Sequence, residues 1–267
     1  PVGEGSGYER DTDQFDTHYH HLFIWSYDDQ DIVGAYRLGD AGKLMKQAGV
    51  AGLYTHTLFH FSPAMNSYLE HGLELGRSFV QPKYQNRYAL EYLWQGIGAF
   101  VQEHPHIRYL FGSASISARY GHEATARIAH FYKTHVNQLP VDVSPRTPFC
   151  VSDLLEARLV NEMPGDDFQT DLTALQSALA AQNLTIPLLF KHYSQATSKD
   201  GVSFSAFNVD PAFGDCVDAF VMADLTRLLP KKKRRYLGEA WQHRPVNQTS
   251  QEAQVLGPEA SSTATNR

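Results

Sequence analysis

A chain of 267 residues, 42% hydrophobic and 12% aromatic, is long enough to bury a sizeable core and too apolar to be disordered. A net charge of −6 argues against nucleic acid as the main partner. Two cysteines, Cys150 and Cys216, without paired spacing fit a reducing compartment, and no apolar run is long enough to cross a bilayer as a helix. The first residues lack the basic start and apolar stretch of a signal peptide. The chain begins without Met, so it is expected to be processed or part of a longer gene product. The expected location is cytoplasmic, at most peripheral at the inner membrane.

Residues 20–25 are aromatic and β-branched, which predicts a strand ending in a turn at Asp28, Asp29 and Gln30. Residues 31–38 read as its hairpin partner. A short helix follows over 43–47, then an extended segment over 53–61. Residues 73–80 read as a strand with Glu74 near its middle, stopped by the loop 81–85 at Pro82. From 86 to 103 the apolar residues Leu90, Leu93, Trp94, Ile97 and Val101 recur at helical spacing, and Pro105 ends the helix. Residues 107–111 make a strand running into 112–117, with a helix over 118–135 behind it. Strand, helix and strand in that order predict a right-handed crossover between parallel neighbours. Later come a helix over 170–182 and a buried strand over 215–225. Residues 1–241 read as one domain, and from 242 the Gln, Ser, Thr and Ala-rich sequence predicts a disordered tail.

Several segments resemble one family. They are Asp13-Gln14-Phe15-Asp16, Ile32 through Leu38, Leu73-Glu74-Leu75-Gly76-Arg77-Ser78-Phe79-Val80, Leu93-Trp94-Gln95-Gly96-Ile97-Gly98, and Tyr109-Leu110-Phe111-Gly112 with Ser115-Ile116-Ser117. With residues 186–225, they make the chain similar to bacterial ornithine lipid N-acyltransferases over nearly all of 8–240. Relatives of that family are sometimes labelled haemolysins. The family is GNAT-like and akin to the acyl-homoserine-lactone synthases. The resemblance implies an α/β fold with a central mixed sheet, splayed strands and flanking helices. It also implies a (3-hydroxy)acyl thioester on acyl carrier protein, or acyl-CoA, as co-substrate. Ornithine or a similar amino acid would be the acceptor, with glycine or another simple amino acid as the rival, and a lyso-ornithine-type lipid the product, with no resident cofactor.

Amide formation from a thioester needs a neutral amine, a polarised carbonyl and a proton acceptor. Glu74 is the expected base, against the alternative that it merely neutralises Arg77. Arg77 stands three residues on and would share a cleft with Glu74 only if the strand bulged near Gly76. Such a splayed strand also frees a backbone N–H for the oxyanion. The resemblance further assigns Asp13, Asp16 and Arg37 to the acceptor side or to closure of the N-terminal segment, and Ser115 to the substrate. Val80, Lys83 and Arg87 are expected on the acyl-donor side. Their loop has no glycine to let a diphosphate approach closely, which favours a carrier protein's single phosphate over CoA.

The run Lys231-Lys232-Lys233-Arg234-Arg235 fits docking to an acidic carrier protein, contact with anionic lipid, or a plain solvated face. His18, His20 and His21 do not make a metal site, because His20 and His21 fall on opposite strand faces. A nucleophilic Cys216, with His192 or His243 as base, is weighed and set aside. Two rival functions stand: a lactone synthase, and a non-catalytic module binding acyl carrier or membrane surface.

Overall fold

The computed structural model describes residues 12–85 and 88–243. Strand β1 (His20–Ser26) turns back into β2 (Asp31–Asp40). Asp40 then caps α1 (Ala41–Ala48) by accepting the Lys43 N–H. Two 3₁₀ turns, Gly49–Gly52 and Tyr54–Thr57, lead to β3 (Phe59–Phe61) and the single-turn α2 (Asn66–Leu69). Next come β4 (Gly72–Val80), α3 (Ala89–Glu103), β5 (Tyr109–Ile116) and α4 (Gly121–His135). Beyond them lie β6 (Val143–Pro145), α5 (Asp153–Glu162), α6 (Phe168–Ala180) and α7 (Leu188–Ser194). The fold ends with β7 (Val202–Asp210), β8 (Cys216–Asp224) and α8 (Pro230–Tyr236).

Six strands form one sheet in the order β1-β2-β4-β5-β8-β7, antiparallel except for the parallel pair β4–β5. Alternation along each strand divides the side chains between two cores. On one face Tyr36, Leu38, Leu73, Leu75, Leu110 and Val221 pack against α3, α4 and the later helices. On the other, Phe111, Phe220 and Met222 meet Phe15, Tyr19, Leu44 and Leu53. Adjacent residues on β2 therefore serve opposite faces: Tyr36 looks to the helices and Arg37 to the N-terminal segment.

The structure departs from the sequence expectations in four places. Residues 53–61 form a 3₁₀ turn and a three-residue strand rather than one extended segment. Strand β5 runs on to Ile116, because each of its residues pairs with β8. Strand β7 follows an alternating Val-Ser-Phe-Ser pattern that the sequence reading left unassigned. The basic run is helical, since Pro230 sits at the start of α8 and Tyr236 anchors its end. The expected tail from 242 falls, beyond 243, outside the described residues.

Strands β4 and β5 pair only over Gly72–Leu75 and Tyr109–Gly112. Past that vertex they separate, β4 staying with β2 to Val80 and β5 with β8 to Ile116. The strands touch closely where they part: a Cβ on Gly112 would lie 2.2 Å from the Leu75 carbonyl oxygen. Gly112→Ala must therefore push the vertex apart, and urea unfolding should register a loss of about 1–3 kcal/mol.

Candidate active site

One residue past the vertex, β4 bulges. Ala35 pairs with Phe79 and Arg37 with Gly76, so Tyr36 alone stands opposite Arg77 and Ser78. Arg77 has φ of 45°, a left-handed conformation that costs a non-glycine residue about 1 kcal/mol. This bulge puts Arg77 on the face from which a regular strand would exclude it. Its Nε and Nη2 donate to Asp13 Oδ2 at 3.2 and 3.0 Å. Arg77 therefore pairs with Asp13, not with Glu74 as the structural alternative required.

Glu74 is 1% exposed and lies on the N-terminal face. One carboxylate oxygen accepts the Thr55 N–H at 2.6 Å. The other accepts the Tyr19 hydroxyl in a short hydrogen bond and the Tyr54 N–H at 3.2 Å. The Tyr19 ring packs against Gly39, where a Cβ would sit 2.3 Å from its Cε1. Burial pushes the Glu74 carboxyl above its ordinary range, against the opposite pull of these donors. Burial and the adjacent carboxylate likewise push the Tyr19 phenol up.

Arg37, also 1% exposed, is the hub of the same face. Its Nη1 donates to both oxygens of Asp13 and to Asp16 Oδ1, each at 2.7 Å. The guanidinium is ringed by Phe15, Tyr19 and Tyr54 at 5.8, 5.0 and 5.1 Å. Its Nε and Nη2 are buried with no partner among the described residues. Burial alone would raise Asp13, but Arg37, the Phe15 N–H and Arg77 hold it below the usual range. The two aspartates clamp residues 13–19 onto the sheet. Five expected residues, Asp13, Asp16, Arg37, Glu74 and Arg77, thus come together.

The remaining expected residues do not join them. Ser115 donates to the buried Asp218 at 2.5 Å, four residues along β5 from the residue beside Glu74. Val80 packs against Val33, Tyr84 and Ala89. Lys83 lies 3.8 and 3.5 Å from Asp29 and Asp31 at the surface, and Arg87 is outside the described residues. In the basic helix Lys232 reaches Tyr236, Lys233 lies over Trp241, and Arg235 meets Glu91 at 2.6 Å. His20 packs on Phe100 and His21 bonds the Asp16 carbonyl. Burial raises the Cys216 thiol, which leaves little thiolate for nucleophilic attack. Sequence reasoning missed Tyr19 and Tyr54. Tyr19 carried only the signal of an aromatic residue near the Asp13 and Asp16 pair, and Tyr54 carried none.

Residues 2–95 match the family model described as an acetyltransferase (GNAT) domain. A glycine N(alpha)-acyltransferase of Bacteroides thetaiotaomicron is 29% identical over 88% of this chain and 73% of its own length. Its counterpart in Phocaeicola vulgatus is 27% identical over 88% and 75%. An L-ornithine N(alpha)-acyltransferase of Brucella abortus is 34% identical, over 40% of this chain and 39% of its own. Among solved structures, a CoA-dependent acyl-homoserine lactone synthase overlays with a TM-score of 0.35 at 13% identity, covering 87% of this chain and 75% of the other. The mixed sheet with its splayed parallel pair, together with the matched domain, defines a GNAT-like fold and an acyltransferase. The enzyme is an N-acyltransferase, acting on amino groups.

The enclosed Glu74 makes stability depend on pH. A carboxyl raised in the folded state leaves stability intact below its ordinary value of 4.5, and stability falls as pH rises through the folded-state value. Glu74→Gln removes that term. As pH rises above 4.5, its unfolding free energy, from denaturant titrations, should fall less steeply than that of the wild type.

Proposed function

We propose that the enzyme acylates the α-amine of a small amino acid from a (3-hydroxy)acyl thioester, with Glu74 as the proton acceptor. The observation that carries this reading is a carboxylate of raised pKa on β4, one residue before the strands part. The thioester enters the gap, where β4 beyond Leu75 has no partner strand in β5 to occupy its backbone groups. A β4 N–H then stabilises the oxyanion. The amine nitrogen attacks the carbonyl carbon, the C–S bond breaks, and the amine proton passes through a water to Glu74 and on to the departing thiolate. A water is needed because both Glu74 oxygens are enclosed by Tyr19, Tyr54 and Thr55.

Arg37 is the group for the acceptor's carboxylate, supported by its Nε and Nη2, which have no partner among the described residues. Glycine is favoured over ornithine as the acceptor. Ornithine brings a second ammonium, and the nearest carboxylates, Asp13 and Asp16, are already engaged by Arg37 and Arg77. The two relatives that cover 88% of the chain are also named for glycine. The donor is borne on a carrier protein, a reading supported by the absence of glycine between Val80 and Gln85. The product is a single-chain acyl amino acid, an amphiphile that partitions into a membrane. No helix among the described residues is long and apolar enough to cross one.

The test is purified enzyme with carrier-bound or CoA-bound acyl donor and either glycine or ornithine, with products read by mass spectrometry. N-acylglycine should form, and Glu74→Gln should lower kcat by about 100-fold or more while circular dichroism stays unchanged. Wild-type turnover in that folded variant would remove Glu74 from the mechanism. Preferential acylation of ornithine would overturn the acceptor assignment.

A further inference from the structure

At the far edge of the sheet, α4, α6 and α7 enclose a cavity that the chemistry above does not use. Its volume is about 280 Å³, and Phe131, Val136, Phe168, Leu172, Ile186 and Val202 give it apolar walls. At about 30 Å³ each, roughly nine carbon-sized atoms would fill it. Val202 opens β7, so β5 and β8 lie between this place and β4 in the sheet. Tyr132, another wall, packs on Phe190 and Phe204 in a buried three-ring stack with centroids 4.7 to 4.9 Å apart, which closes that side. The cavity is therefore separate from the gap.

Three nitrogen-bearing side chains interrupt these walls. His135 is held from behind: its Nε2 bonds Asp171 Oδ2 at 2.7 Å, and the same oxygen accepts the Gly165 N–H at 2.8 Å. Asp171 is 1% exposed, and Phe131 and Phe168 flank the His135 ring at 5.0 and 5.5 Å. A carboxylate at Nε2 fixes a proton there, so the neutral ring offers Nδ1 as an acceptor. That nitrogen makes no hydrogen bond among the described residues, although the side chain is only 8% exposed. Lys191 and Lys199 add positive charge, Lys199 over the Phe168 ring. Neither forms an ion pair among the described residues. The acids beside Lys199 are engaged elsewhere: Asp167 caps α6 through the Thr170 N–H, and Asp200 pairs with Arg227.

One acceptor, two cations and a short apolar space describe a ligand with three matching parts. An N-acylated amino acid brings a carboxylate for the lysines, an amide N–H for His135 Nδ1 and an alkyl chain for the walls. A free fatty acid has no N–H and would leave Nδ1 bare. We infer that this cavity is a second binding site, apart from the gap, for N-acyl amino acids of medium chain length. The choice of ligand class rests on the acyl transfer proposed above, since such a compound is what that reaction makes.

The experiment titrates protein labelled with ¹³C at the isoleucine methyls, with Ile186 assigned through Ile186→Val, against N-octanoylglycine, N-octanoylsarcosine and octanoate. N-octanoylglycine should shift the Ile186 methyl signal saturably, with a Kd below about 1 mM. The sarcosine compound, which has a methyl in place of the amide N–H, and octanoate should each bind at least about fivefold more weakly. Lys191→Gln combined with Lys199→Gln should raise the Kd about tenfold, and Leu172→Trp, which fills the space, should abolish the shift. None of these positions borders the gap, so acyl transfer without added ligand should stay within about twofold of wild type and report an intact fold. An unmoved Ile186 signal in the wild type overturns the site, and so does a shift that survives all three substitutions. Equal binding of the three ligands overturns the ligand class. Binding of N-octanoylglycine by a wild type that acylates no amine would leave the site standing and sink the acyl-transfer reading instead.

Discussion

Everything at the centre of this molecule depends on the four residue pairs that join β4 to β5. Parallel strands normally continue side by side as far as their lengths allow, because each unpaired backbone group in a buried sheet is costly. Here pairing stops at Leu75 and Gly112 although both strands run on, and each is held on its far side by an antiparallel partner. The result is a wedge-shaped gap framed by rigid strands rather than loops. A ligand entering it meets preorganised backbone, which is the condition for electrostatic stabilisation of a transition state without reorganisation.

The bulge at Arg77 does the second half of this work. It shifts the β2–β4 register so that Gly76 lies beside Arg37, and it turns a guanidinium that belonged to one face onto the other. The strain of a non-glycine residue at positive φ is offset by the ion pair Arg77 makes with Asp13. That aspartate is shared with Arg37, so one carboxylate ties the N-terminal segment, β2 and β4 together.

Much of this was legible in the sequence, for identifiable reasons. The hairpin β1–β2 and helix α3 follow from hydrophobic period, and the family resemblance singled out Glu74, Arg77, Arg37, Asp13 and Asp16, which the structure gathers. The bulge was foreseeable as a requirement but not as a fact, since nothing local marks Arg77 for a positive φ. The misreadings come from tertiary override. Residues 53–61 carry β-prone side chains, yet the buried Glu74 carboxylate captures the N–H groups of Tyr54 and Thr55 and holds that stretch as a tight turn. Lys231 to Arg235 looked like a solvated run because a row of charges does not say whether the segment docks, and only the buried Tyr236 and Trp241 reveal that it does. Tyr19 escaped notice for the same reason: its partner is 55 residues away.

The brevity of the β4–β5 seam has a mechanical consequence. Four pairs hold this seam, whereas eight join β5 to β8. The sheet is therefore least stiff along a line through its own middle, with a three-stranded panel on either side. Its softest internal deformation is a flexing of these panels about the vertex. That motion widens or narrows the wedge while leaving each panel's hydrogen bonds intact, so compliance is concentrated at the mouth of the gap.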